Sequence, residues 1–240
     1  MTEGTSRRPI AMAPPRSAEV AVTDALRTAI RQGVLAPGQR LAQAELANQL
    51  GVSRIPLRDA LRRLEMEGVV RIDGRRGAWV TRLGPDDISE IYEMRLILET
   101  RCIQYAVDHL TAGDVERIVE LSEGMDRHDM SLLDGYIARR SFYAQLYERA
   151  RRPRMRRTIL QLRDNVDRYH ILSDREHSRE AHEELRDRIS ARDGAGAAAI
   201  MRAHLEESRD DLLSSMDQSG SGDPYDGESA RREKVSDGSP

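Results

Sequence analysis

Two groups of side chains in this 240-residue chain have the types and spacing to do chemistry. The first is cationic. Arg54, Arg58 and Arg62 stand four apart in SRIPLRDALRRLEMEG, so one helical face presents a guanidinium at each turn. Arg75 and Arg76 follow in DGRRG, where Gly74 and Gly77 let another backbone approach closely. Guanidinium forks suit the phosphate oxygens and guanine edges of DNA. The second group sits on apolar stripes of helical period. Arg95 recurs with Ile88, Ile91, Leu98 and Cys102, and Arg139 with Tyr136, Tyr143, Leu146 and Ala150. His182 falls in line with Leu185 and Ile189, and His204 with Ala197, Met201 and Leu212. Four ionisable side chains thereby face an interior, where a lone charge is too costly to persist. They pair with acidic residues, or an anion or metal completes them.

The cationic set needs a particular scaffold. AEVAVTDALRTAIRQGVL places Val22, Leu26, Ala29 and Ile30 at helical spacing and stops at Gly33. After the Pro37-Gly38 turn, AQAELANQLG forms a short helix ended by Gly51, and Ser53 stands as the N-cap of the next. That third helix buries Leu57, Ala60, Leu61 and Leu64 and leaves the arginines outside. VVRIDGRRGAWVTRL then reads as two strands around a glycine-flanked turn. Helix, helix, turn, helix and a basic-tipped hairpin is the order of a winged helix-turn-helix, whose last helix enters the major groove. From Gly84 the pattern changes to six helical segments, which predicts an all-helical antiparallel bundle. The expected fold is mainly α: a winged helix-turn-helix with a small β-hairpin wing over residues 17–83, and a helical bundle over 84–216. Residues 1–16 and 217–240, rich in Pro, Gly, Ser and Asp, are expected to be disordered.

Charge divides the same way. Residues 1–83 hold 14 arginines against eight acidic residues, a net of +6, and the remainder carries 24 basic against 33 acidic, a net of −9. A positive module joined to a negative one predicts a polyanionic partner for the first alone. Cys102 is the only cysteine, which excludes an internal disulfide or Cys-rich zinc framework and points to a reducing cytoplasm. Apolar runs are too short to span a bilayer. The chain has no glycine-rich phosphate loop, no nucleophile elbow and no HExxH, so no enzyme is expected.

The stretch PGQRLAQAELANQLGVSRIPLRDALRRLEMEGVVRIDGRRGAWV resembles the reader of GntR-type bacterial transcription regulators. The helical remainder is similar to the FadR-type subgroup with an FCD ligand-sensing domain, through its YEMRLILE run and two late histidines. The resemblance covers residues from about 18 to 215. It implies operator contacts from Ser53, Arg54 and Arg58 and a wing role for Arg75, Arg76 and Gly77. Position 55, often Thr in the family, is Ile55, which substitutes an apolar contact to a thymine methyl for a hydroxyl. The resemblance further implies a homodimer on a palindromic operator, controlled by a small carboxylate, and a repressor.

The subgroup's usual metal site takes an Asp and a His one turn apart on the third bundle helix, plus one His on each of the last two helices. His182 and His204 match the late pair, but Arg139 and Tyr143 occupy the other two positions. A guanidinium beside two imidazoles repels a cation. No cofactor is therefore expected, with His182 and His204 the only candidate ligands should zinc bind. Arg139 is instead expected to anchor an acidic effector, together with Arg95, while Tyr143, His182 and His204 supply hydrogen bonds. The alternative is a polar core without a ligand, in a bundle that only dimerises.

Overall fold

A computed structural model describes residues 18–74, 76–125, 130–172 and 179–218. The chain divides into two compact units between Arg82 and Leu83.

Among the described residues the first unit is built on three helices and a small sheet. Helix α1 (Ala18–Arg31) buries Val22, Leu26 and Ile30. Helix α2 (Gln43–Leu50) ends at Gly51, whose φ of 64° is a left-handed conformation that costs glycine nothing. Ser53 is the extended N-cap residue of α3 (Arg54–Met66), although its side chain makes no capping bond. Pro56 sits in the first turn of α3, where its missing N–H has no intrahelical partner to lose. Leu57, Ala60, Leu61 and Leu64 are fully buried and pack α3 against α1. Arg27 of α1 donates to both carboxylate oxygens of Glu67, each at 2.9 Å, which fixes the far end of α3.

The sheet holds one more strand than the sequence predicts. Strand β1 (Arg40–Leu41) pairs with β3 (Gly77–Val80), which pairs with β2 (Val70–Asp73), all antiparallel in the order β1-β3-β2. Ala78, Val80, Val70 and Leu41 point to the core. At two residues, β1 is too short to show alternation in sequence.

The second unit is a bundle of six helices among the described residues: α4 (Pro85–Val107), α5 (Ala112–Met125), α6 (Leu132–Glu148), α7 (Pro153–Leu172), α8 (Arg179–Ser190) and α9 (Gly194–Gln218). Helix α4 starts sharply, with Pro85 in its first turn and the Gly84 amide donating to Asp87 Oδ2 at 2.8 Å. It lies chiefly along α9 and carries the centre of the core through Ile88, Tyr92, Ile103 and Ala106. Ile159, Leu162 and Val166 of α7 are core residues as well, with Met155 and Tyr169 packed against them.

Two boundaries differ from the sequence reading. Leu83, read as the last residue of the first unit, is buried in the core of the second, and its amide donates to the Tyr169 hydroxyl at 2.6 Å. Helix α9 continues two residues past Met216. The expectations for residues 1–16, for the chain after 218 and for Arg75 fall outside the described residues.

Candidate functional site

The outer face of α3 is a row of exposed side chains. Leu57 and Leu61 fix the helix inward, so Ser53, Arg54, Ile55, Arg58 and Arg62 stand in solvent, Ile55 with 65% of its surface exposed. Among the described residues neither Arg54 nor Arg58 has an acidic partner. An exposed isoleucine flanked by free guanidiniums at a helix N-terminus is a poor water-facing surface and a good base-edge surface.

The wing tip is arranged by backbone geometry. The Arg76 amide donates to the Asp73 carbonyl at 2.8 Å, closing the turn, and Arg40 Nη2 donates to the Arg76 carbonyl at 3.2 Å. Gly77 has a φ of 124°, and a Cβ there would meet the Arg40 guanidinium at 3.6 Å. Arg76 itself is exposed, with its Nε 3.8 Å from Asp73. Sequence reasoning missed a neighbouring feature: Arg40 and Arg71 lie opposite Trp79 on either side of it, so the three share one sheet face. The signal was hidden by the unrecognised strand β1.

The helical unit encloses a polar cavity. Helix α4 contributes Tyr92 and Arg95, α6 contributes Arg139, Arg140 and Tyr143, and α7 contributes Arg163 and Asp167. His182 of α8 and His204 of α9 close the far wall, ring centroids 5.2 Å apart. All five residues singled out by the stripes, Arg95, Arg139, Tyr143, His182 and His204, thus line one cavity. Its free interior measures about 20 Å³, room for roughly one water molecule.

The arginines of this cavity are not equivalent. Arg95 is buried and donates through Nε to Glu99 Oε1 at 2.7 Å, while Arg163, also buried, donates through Nη1 to Glu99 Oε2 at 2.6 Å. Tyr147 donates its hydroxyl to the same carboxylate, and the Arg163 guanidinium lies 3.6 Å from the centre of the Tyr143 ring. Burial alone would raise the Glu99 carboxyl, but Arg163 and Arg95 overcome it and hold the group down at about 2. Arg140 is held by Asp164 at 2.8 and 3.1 Å, with Tyr136 donating to that aspartate. Arg139 is half-buried, with Nη1 over Gly135 and its charge felt by Asp167. His204 is pushed down to about 3 by burial, with His182, Arg163 and Arg95 adding to it, so its ring is neutral at ordinary pH.

Arg95 is therefore committed to Glu99, whereas the sequence reading gave it to a ligand. Arg163, Glu99, Tyr147 and Asp167 were missed. Glu99 follows Arg95 by one turn, an i,i+4 signal that could have been found. The pairing of Arg163 spans 64 residues and had no local trace.

Among the described residues no group of three His, Cys, Asp or Glu side chains converges as a metal would require. The cavity that holds the two imidazoles is lined as well by Arg95, Arg139, Arg140, Arg163 and Tyr143. These residues do not fit a resident divalent cation.

Comparison with known proteins gives two family matches: bacterial regulatory proteins of the gntR family over residues 18–80, and the FCD domain over residues 90–207. The HTH-type transcriptional regulator YdhC of Bacillus subtilis, itself uncharacterized, is 33% identical over 110 residues, covering 46% of this chain and 48% of that protein. The gluconate operon transcriptional repressor of Bacillus licheniformis is 34% identical over 117 residues, covering 48% and 46%. The chain spans about half the length of these curated relatives. The solved structure of Escherichia coli McbR superimposes with a TM-score of 0.72 at 25% identity, covering 83% of this chain and 99% of that one.

Proposed function

This chain belongs to the bacterial GntR family of transcription regulators with an FCD domain, and from that premise we propose that it is a DNA-binding repressor whose helical unit senses a small carboxylate. Two copies bind a palindromic operator, each inserting α3 into the major groove. Arg54 and Arg58 read base edges, Ser53 and Arg76 take phosphate oxygens, and Ile55 packs on a thymine methyl. Arg75 belongs to the same wing contact.

The observation that carries the effector reading is the charge balance of the cavity. Four arginines line it, Arg95, Arg139, Arg140 and Arg163, against three carboxylates on or bonded to its wall, Glu99, Asp164 and Asp167. With His204 neutral and the three carboxylates ionised, the cavity carries one positive charge in excess. A monocarboxylate supplies the balancing negative charge, and Arg139, half-buried on α6 one turn before Tyr143, anchors it. Tyr143, His182 and His204 hydrogen-bond the rest of the effector, and no metal takes part.

A second reading is favoured by the small free volume: the cavity is a satisfied polar core and the bundle only dimerises. A panel of small mono- and dicarboxylates followed by thermal shift separates the two. The effector reading expects a monocarboxylate that raises the melting temperature, by about 2.7 kcal/mol of added stability at a hundredfold excess over Kd. Arg139→Ala should abolish that shift; equal affinity in the variant overturns the anchor. No shift across the panel favours the second reading.

A further inference from the structure

Residues 149–157 read RARRPRMRR, six arginines in nine residues without an acidic side chain, inside a segment whose net charge is −9. Neither the reader nor the cavity uses them, apart from the structural pairs noted next. The run forms the joint between α6 and α7, with Arg151, Arg152, Arg154 and Arg157 exposed. Arg149 is neutralised by Asp114 at 3.0 Å and Arg156 by Glu148 at 2.9 Å. Among the described residues Arg151, Arg154 and Arg157 have no acidic partner.

Helix α4 adds to this face. The guanidiniums of Arg101 and Arg152 both stack on the ring of Tyr105, 4.5 and 4.6 Å from its centre. Like charges repel, so two on one ring are sustained by the ring's negative face and would gain from an anion. Arg101, with Arg152, draws the Tyr105 phenol below its ordinary value. Arg151 has a φ of 53°, a left-handed position that glycine fills at no steric cost. A charge stands there instead. The exposed Asp108 caps the C-terminus of α4 one turn past Tyr105.

We propose that this face, Arg101, Arg151, Arg152, Arg154 and Arg157, binds the phosphate backbone of duplex DNA without reading its sequence. The cations are spread over a helix, a joint and the first turn of a second helix, which suits an extended polyanion better than a small anion. Planar guanidiniums match phosphate oxygens in pairs. The inference rests on reading the chain as DNA-binding, but on none of the residues assigned to the reader.

The test uses the full chain and a fluorescent duplex of about 40 bp of arbitrary sequence, with affinity measured from about 50 to 300 mM KCl. Replacing Arg101, Arg152, Arg154 and Arg157 together by Gln should reduce the slope of log K against log [KCl] by about 2 or more, and lower affinity about tenfold at low salt. The corresponding four-Lys variant keeps the charge and should keep the slope. The Gln variant should show the same loss in a background of Arg54→Ala and Arg58→Ala, which separates this face from the reader. A wild-type slope in the Gln variant overturns the proposal. So does an unchanged slope with an altered sedimentation coefficient, which would make the face a contact between copies, or with lost binding to anionic phosphatidylserine vesicles, which would make it a membrane surface. A Lys variant that behaves like Gln also overturns it, since charge would then not be the cause. A wild-type chain that binds no duplex at all sinks the DNA-binding reading together with the inference.

Discussion

Glu99 is the residue on which the buried polar cluster of the helical unit turns. One carboxylate accepts from Arg95, Arg163 and Tyr147 with no solvent contact. A buried ion cluster is no better for stability than a well-packed apolar one, yet removing the Glu99 charge takes away the carboxylate that two buried guanidiniums donate to. Glu99→Gln should therefore destabilise by about 3–5 kcal/mol, read as a lower urea midpoint with an unchanged m value. His204 makes a separate prediction. Its ring is held neutral with a folded value near 3 against 6.5 unfolded, so the unfolded chain binds the extra proton between those values. Stability is full above about 6.5 and falls with acid through that window, by about 2 kcal/mol at pH 5. Glu99 joins only below its unfolded value of 4.5, lost as pH falls towards 2. His204→Gln should flatten the decline between pH 6.5 and 4.5; an equally steep melting-temperature profile in the variant would disprove the assignment. At this scale the sequence told which side chains face inward, because helical period decides that. It did not tell how they pair, because Arg163 meets Glu99 through tertiary packing.

Helix α3 shows what one element can do when its two faces are held to different tasks. Leu57, Ala60, Leu61 and Leu64 have no exposure, so the rotation of the helix is fixed and the opposite face is rigidly presented. Arg54→Ala or Arg58→Ala should cost about 1–3 kcal/mol on a cognate duplex and relax preference at one base pair. Arg76→Ala should weaken all sequences evenly, and electrophoretic competition with scrambled duplex separates the two effects. Unchanged operator affinity in both helix variants would remove α3 from the groove. Elements of ten residues or more were legible from period, caps and glycine stops. The Pro37-Gly38 turn was legible too, but β1 after it was not, and with it went the face shared by Arg40, Trp79 and Arg71.

On the scale of the whole molecule, the proposed reading of a palindrome by identical copies calls for a two-fold arrangement. Sedimentation should give two chains per operator duplex, with half-sites centred about one helical turn, 34–36 Å, apart; one chain per duplex would exclude this. The division of charge between the units was plain from composition, and the junction was placed within one residue of where the structure divides. The reason for the difference is the hydrogen bond from the Leu83 amide to the Tyr169 hydroxyl. Tyr169 stands on α7, the same helix that carries Arg163 and Asp167 into the cavity. The first peptide of the helical unit is thus moored to a wall of the cavity, and a native amide there doubles as an intrinsic gauge. Its deuterium exchange, read by mass spectrometry on unlabelled protein, tracks any shift of α7 before DNA is ever added.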